Sequence, residues 1–135
     1  MSPTRAATAP APLVDENDII NRNWTRKQGP FYRVNVVSQM FFGMSASWLR
    51  LKLTVQAGRP HTSFTTPDGH AAMDFRRKNP SDAASARVFL LSDIEPMARS
   101  LRALGDIDAE RLDLVLRMVA LQAELFGLTS TAEKS

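Results

Sequence analysis

The feature that most constrains the fold is a pair of short amphipathic segments separated by a glycine, in the stretch FYRVNVVSQMFFGMSASWLRLKL. The first segment has the apolar spacing of one face of a short helix, formed by Val34, Val37, Met40 and Phe41. Gly43 follows, and glycine readily adopts the left-handed conformation that a sharp turn needs. The sequence therefore predicts two short helices joined by a tight turn, a helix-turn-helix, at about residues 33–53.

The second predicted helix has one face for the core and one for a partner. Ser45 is a good N-cap residue for it, because a serine hydroxyl can accept a hydrogen bond from an amide of the first turn. Helical spacing turns Leu49 and Leu53 inward and Ser47 and Arg50 outward. Trp48 could face outward and pack against DNA sugars or fill part of the core, and a partial place in the core is favoured.

Charge is distributed unevenly along the chain, although the net charge is only +3. Residues 26–87 hold ten Lys or Arg and three acidic residues, whereas residues 88–135 hold five basic and eight acidic ones. A basic surface beside an acidic module is typical of a protein that binds a polyanion, and it is also found as a solubilising surface. The charge pattern alone leaves both interpretations open.

The composition and motifs argue against several function classes. The absence of cysteine excludes disulfides, thiol catalysis and cysteine-ligated zinc. No phosphate-binding glycine loop, no nucleophile beside a base and no carboxylate–histidine cluster is present, so we predict a non-enzymatic protein without cofactor or metal. No apolar run reaches the ~20 residues of a membrane span and no secretory signal is recognisable, so a cytoplasmic, nucleoid-associated location without a membrane partner is expected.

The segments that flank the two helices are predicted to be less regular. Residues 1–14 have the composition of a disordered leader. A short helix capped by Asp15 or Asn17 follows, and Trp24 is expected to pack on the domain. Farther along, HTSFTT and HAAMDF are predicted as short strands around a turn at Pro67-Asp68-Gly69, with RVF as a returning strand. A hairpin in this place would form a wing.

The last third of the chain is predicted to be helical. Ser92-Asp93-Ile94-Glu95 has the pattern of a capping box, and Gly105 should end that helix. Asp106 or Asp108 should start a final helix that stops at Gly127. One apolar stripe of this helix can pack on the domain. A second stripe consists of Leu114, Met118, Leu121 and Leu125, and it needs another partner. A second copy of the chain is the simplest choice. The alternative is that the helix at residues 106–127 is an internal helix of a monomer.

Two segments together resemble the DNA-binding domain of MerR-type regulators and their excisionase-like relatives. In FYRVNVVSQMFFGMSASWLR the positions that match the family are Tyr32, Gly43, Ser45, Leu49 and Arg50. In RVFLLSDIE they are Arg87, Phe89, Asp93 and Ile94. The final helix is more weakly similar to the family's dimerisation helix. The chain departs from the family in its longer wing region and in Leu51, which stands where an aromatic residue is usual, and an effector domain is not expected.

The resemblance implies a mainly α fold with a small β wing. A winged helix-turn-helix DNA-binding domain would occupy residues 15–105, a C-terminal dimerisation helix residues 106–127, and a disordered tail residues 128–135. Arg50 could read a guanine edge or bind a phosphate. The complete set of predicted DNA-binding residues, drawn from the second helix, the wing and the returning strand, is Ser45, Ser47, Trp48, Arg50, Lys52, Arg59, His61, Arg76, Arg77, Lys78 and Arg87.

Three functions are compatible with these observations. The leading one is a bacterial or bacteriophage transcriptional regulator that binds double-stranded DNA as a homodimer, with RNA polymerase as a possible partner. The second is an excisionase-like architectural factor that bends DNA beside a recombinase. The third is a protein-interaction factor that uses its helix-turn-helix as a docking surface.

Overall fold

The fold is mainly α-helical with a small antiparallel sheet. The computed structural model describes residues 12–15, 17–22, 24–25, 27–56, 64–69, 71–74, 76–79, 81 and 87–128. In chain order the elements are a 3-10 helix Ile19–Asn21, strand β1 Phe31–Arg33, helix α1 Val34–Val36 with the π-helix Val37–Phe41 that continues it, helix α2 Trp48–Gln56, strands β2 Arg76–Arg77 and β3 Arg87–Leu90, and helices α3 Leu91–Ala103 and α4 Ala109–Leu125.

The sheet has three strands in the order β1-β3-β2, with both pairs antiparallel. Successive residues of a strand point to opposite faces, and here both faces are covered. Tyr32 and Phe89 enter the main core, while Phe31 and Val88 pack with Ile20 in a second cluster. The predicted returning strand is confirmed as β3. Strand β1 was not predicted, because three residues give too short a pattern to distinguish from the helix that follows.

The two helical segments before and after Gly43 form largely as predicted. Val37 and Phe41 are fully buried, and so is Leu49 on α2. Met40, which was predicted to share the inward face, is 48% exposed, so that prediction is wrong. The reason is the π turn, in which the Phe42 amide donates to the Val37 carbonyl (3.3 Å), one residue farther than in an α-helix.

The connection between the two helices turns at Gly43, whose φ is +65°. Helix α2 begins at Trp48. The Ser45 hydroxyl was expected to accept a hydrogen bond from an amide of its first turn, but a hydroxyl of the preceding helix accepts it instead. The buried Ser38 hydroxyl accepts from the Leu49 amide (3.2 Å) and donates to the Ser45 carbonyl (2.6 Å). The first helix therefore caps the second, which fixes their relative position.

The chain before β1 is held against α4 and the sheet. Its helix is a single 3-10 turn capped by Asp18, whose carboxylate accepts from the Ile20 amide. The predicted caps Asp15 and Asn17 lie three residues and one residue before it. Trp24 packs edge-on against Phe126, with ring centroids 5.9 Å apart, as the sequence predicted for a tryptophan in this segment.

In its described residues, the segment predicted to form a wing contains less strand than expected. Thr65 and Ala71 form an isolated antiparallel bridge around the predicted turn, and the Gly69 amide donates to the Thr66 carbonyl (2.9 Å). The longer-range pairing is made instead by Arg76 and Arg77, which lie opposite Val88 and Arg87. Residues 57–63, which connect α2 to this segment, lie outside the described residues.

The two last helices end as the sequence predicts, and α4 also begins as predicted, whereas α3 begins differently. Gly105 and Gly127 have φ of +83° and +69° and come directly after the C-cap residues of α3 and α4. Helix α3 begins at Leu91, so the predicted capping box at residues 92–95 is displaced. Asp93 accepts from the Leu90 amide (2.7 Å), while Glu95 binds Arg99 on the next turn. Helix α4 is capped by Asp108, one of the two predicted residues.

One large core joins the described elements. It includes residues of β1, the helices before and after Gly43, α3 and α4, together with Val14 from the N-terminal segment. Helices α3 and α4 pack against each other on either side of the turn at Gly105, and Val115 of α4 is fully buried. Among the described helices, none is long and apolar enough to cross a membrane.

Candidate nucleic-acid interface

The candidate interface centres on a cleft of about 470 Å³ that is lined by three arginines. Arg33 comes from the end of β1, Arg50 from α2 and Arg87 from the start of β3. Val34 and Asn35, in the first turn of α1, complete the lining. We refer to this site as the arginine cleft. Of its three arginines, Arg50 and Arg87 were predicted from the sequence.

The strand register explains why residues so distant in the sequence meet here. Arg33 lies opposite Val88 in the β1–β3 pair, so Arg87 is next to it at the same end of the sheet. Helix α1 starts directly after Arg33 and contacts both α2 and β3, which brings Arg50 to the same side. Pairing of non-adjacent strands therefore assembles a basic site from three separate elements.

Arg33 is oriented by a carboxylate beside the cleft. Its Nε and Nη2 atoms donate to the two oxygens of Asp18 at 2.8 and 2.7 Å, which is a bidentate pair. Hydrogen bonding from this guanidinium lowers the pKa of Asp18 to about 2. Arg33 therefore keeps a fixed orientation, and 39% of its side chain is exposed. Arg33 was not among the residues predicted from the sequence to bind DNA.

Helix α2 presents its outward face next to the cleft. Ser47, Arg50 and Leu51 are exposed, while Leu49 and Leu53 are buried on the opposite side. Ser45 is also exposed, in the turn before the helix. Trp48 is half-buried against Phe42, with ring centroids 5.7 Å apart, which agrees with its predicted partial place in the core.

The rotation of α2 about its own axis is fixed by an ion pair as well as by its buried leucines. Lys52 donates from Nζ to Asp106 in the α3–α4 turn (3.1 Å) and lies 5.8 Å from the centre of the Trp48 ring. Lys52 was predicted to bind DNA, and in the structure it joins α2 to the turn before α4.

The turn at Gly43 is also held from α4. Arg111 donates from Nη1 to the Phe41 carbonyl (3.1 Å), at the end of the π-helix. Its guanidinium lies directly over Gly43, where a Cβ atom would come within 2.8 Å of Nη2. Together with the Lys52–Asp106 pair, this contact shows that α4 and the turn before it hold α2 in place.

Arg76, which was predicted to contact DNA from the wing, is engaged inside the protein. It donates to both oxygens of the buried Asp93 at 2.7 Å, and to Asp68 at 3.1 and 3.2 Å. Only 16% of its side chain is exposed. The guanidinium thereby joins the hairpin turn, β2 and the start of α3.

Of the other predicted basic residues of this segment, Lys78 is the one whose side chain the structure describes. Lys78 is half-buried, donates to the Arg22 carbonyl (3.4 Å) and lies over the Phe31 ring. The side chain of Arg77 lies outside the described part of the structure, as do Arg59 and His61. Within the described residues, no group of three metal-ligating side chains is positioned to hold an ion.

Helix α4 carries an exposed apolar stripe on the side away from the core. Leu114, Leu121 and Leu125 are 36%, 49% and 38% exposed. Met118, the fourth predicted member, packs partly against the core and continues the line of the stripe. We refer to these four residues as the α4 stripe. Its neighbours along the helix include Arg117, which pairs with Asp113 (3.1 Å) at the surface.

Comparison with known proteins adds no relative to this description. No protein family, no curated protein and no solved structure matches the chain.

Proposed function

We propose that this chain is a non-enzymatic regulator that binds double-stranded DNA, with α2 in the major groove and the arginine cleft on the phosphate backbone. The observation that carries the proposal is the position of the cleft beside the exposed face of α2. The chain's resemblance to MerR-type and excisionase-like domains supports the same function.

The chemistry of the two surfaces suits the two parts of DNA recognition. Phosphate contacts hold a protein in register, and base contacts made by the first turns of a helix select the sequence. Arg33 and Arg87 lie at the end of the sheet, where they can reach phosphates. Arg50 lies in the first turn of α2 and can reach either a phosphate or the O6 and N7 atoms of a guanine.

The α4 stripe supports binding as a homodimer. Its residues follow a spacing of four and three along the helix, which is the spacing of a coiled-coil seam. Leucines exposed in this pattern lose contact with water if a second α4 packs on them, and each buried methylene contributes about 0.8 kcal/mol. Two copies related by a two-fold axis would present two copies of α2 to inverted half-sites.

The DNA proposal can be tested by titration at several salt concentrations. Affinity for a random duplex should fall steeply with salt, because each neutralised phosphate releases condensed counterions. Arg87→Ala should weaken binding to all sequences and reduce the salt slope by about 1. Arg50→Ala should do the same if it binds phosphate, or cost ~1–3 kcal/mol at one base pair if it reads guanine.

Arg99→Ala is a suitable control for these two variants. Arg99 is an exposed arginine on α3, 43% accessible, and it pairs with Glu95 on its own helix. Its removal changes the net charge by the same amount as the cleft variants. Equal losses of affinity in all three variants would show that net charge, and not the cleft, governs binding. No binding to any duplex at low salt would rule the function out.

The dimer can be tested separately by sedimentation. Leu121→Glu places a charge in the middle of the α4 stripe and should shift the protein to monomer, because an unpaired charge is costly to bury. Ile19→Glu alters a residue that is 63% exposed in another element and should leave the assembly unchanged. A wild-type protein that remains monomeric at high concentration would contradict the dimer.

Selection of bound sequences from a random DNA pool distinguishes the three functions. Inverted repeats at a fixed spacing would support the dimeric regulator. Direct repeats would favour the excisionase-like architectural factor that acts beside a recombinase. No enrichment would favour a factor that docks protein through the same helices.

A further inference from the structure

The outward face of α2 carries one large apolar group, Leu51, beside the arginine cleft. Leu51 is 62% exposed, while Leu49 and Leu53 on either side of it in sequence are buried. The helical period of about 100° per residue places Leu51 nearly opposite Leu49. Ser47 and Arg50 stand beside it on the same exposed face.

Leu51 cannot leave this position without breaking contacts that hold α2. The Lys52–Asp106 pair and the burial of Leu49 fix the rotation of the helix, and the Ser38 hydroxyl holds the Leu49 amide. The Cα–Cβ bond of Leu51 therefore points in a constant direction next to Arg50. An apolar side chain carried on a fixed helix in this place is suited to recognition.

In DNA, one chemical group on the major-groove edges matches an isobutyl side chain. The base edges offer hydrogen-bond donors and acceptors, and thymine adds an apolar C5-methyl group. Resting on the DNA-binding function proposed above, we propose that Leu51 is a specificity-determining residue that packs on the C5-methyl of a thymine. This thymine would neighbour the base pair or phosphate contacted by Arg50, since the two side chains are adjacent on the helix.

Replacing thymine by uracil tests the contact, because it removes the methyl group and leaves the pairing unchanged. The probe is the duplex that the wild-type protein selects from a random pool, with each thymine replaced in turn. At one thymine in each half-site, wild-type affinity should fall about fourfold, the value of one buried methyl group. Leu51→Ala should bind the thymine and uracil duplexes equally at that position.

Ile19→Ala is the matched control, because Ile19 is equally exposed, at 63%, and is not on α2. It should keep the wild-type loss on uracil. Both variants alter exposed side chains, so unchanged urea midpoints are expected. The proposal is overturned if no thymine shows a methyl effect, or if the effect persists in Leu51→Ala. Failure of the wild-type protein to bind DNA at all overturns the proposed function, and this contact with it.

Discussion

At the scale of single residues, two fully buried serines differ sharply in how their hydroxyls are satisfied. Ser38 bonds with the Leu49 amide and the Ser45 carbonyl. Among the described residues, Ser100 has a buried hydroxyl oxygen without a hydrogen-bond partner. A buried polar group without a hydrogen-bond partner lowers the stability of the fold, whereas a buried polar group that is hydrogen-bonded raises it. Their contributions should therefore have opposite signs.

Replacement of each serine by alanine measures this difference directly. Ser38→Ala should lower the free energy of unfolding by about 1–3 kcal/mol, because the buried Leu49 amide loses its acceptor. Ser100→Ala should be neutral or slightly stabilising. Urea denaturation of the two variants gives the comparison, and equal losses would mean that the hydroxyl of Ser100 also has a partner in solution.

Gly43 is constrained both by its own backbone conformation and by a side chain of α4. Alanine there would adopt a left-handed φ, at about 1–2 kcal/mol, and would also displace the Arg111 guanidinium. Gly105 has a similar φ of +83° and no atom near a Cβ, so Gly105→Ala should carry the backbone cost alone. We expect Gly43→Ala to be the more destabilising in urea denaturation. In an Arg111→Ala background the two costs should become equal; a persistent gap would contradict the role given to Arg111.

At the scale of elements, the hairpin turn, β2 and the start of α3 are joined by one guanidinium. Asp93 is 2% exposed and Asp68 60% exposed, although both bind Arg76. Breaking a buried pair costs about 3–5 kcal/mol, and breaking an exposed one less than about 1 kcal/mol. Asp93 also holds the Leu90 amide at the start of α3. The buried pair should therefore carry most of the connection.

Asp93→Ala and Asp68→Ala test this on the same arginine. We expect Asp93→Ala to lower the free energy of unfolding by about 3 kcal/mol or more, and Asp68→Ala by less than about 1 kcal/mol. Thermal and urea unfolding followed by circular dichroism give both values. Comparable losses would show that the network acts as a unit and not through its buried half.

The elements also show which parts of the fold the sequence could predict. The stops at Gly105 and Gly127 and the cap at Asp108 are local signals, and each was found. The roles of Arg76, Ser38 and Arg33 depend on partners supplied by distant parts of the chain. For example, Arg76 in a run of three basic residues is indistinguishable from a surface cation until the fold brings Asp93 to it. The site was therefore predicted in part, through Arg50 and Arg87.

At the scale of the whole molecule, acid should weaken the fold partly through the Asp18–Arg33 pair. The pKa of Asp18 is lowered from 3.8 to about 2 in the folded state, chiefly by the hydrogen bonds from Arg33. A carboxyl whose pKa is lowered by folding stabilises the protein above its unfolded pKa. That contribution disappears as the pH falls through the folded value.

Asp18→Asn isolates this contribution. The stability difference between wild type and Asp18→Asn, from urea midpoints, should be constant near neutral pH and shrink between pH 3.8 and about 2. The other carboxylates are present in both proteins, so their contributions to stability cancel in this difference and the contribution of the Asp18–Arg33 pair remains. A difference that does not change with pH would contradict the assignment.

The π-helix Val37–Phe41 has a consequence for how this chain can vary in length. Its wide turn accommodates one residue more than an α-helix would between Val37 and the turn at Gly43. Substitutions at the exposed Gln39 and Met40 leave that spacing intact. Deletion of either would convert the π turn to an ordinary helical turn and leave the residues on either side of it in place. An inserted residue would instead rotate everything after it by about 100°, carrying Gly43 away from Arg111 and Arg50 away from the cleft. In this segment, the chain should therefore tolerate the loss of one residue better than the gain of one.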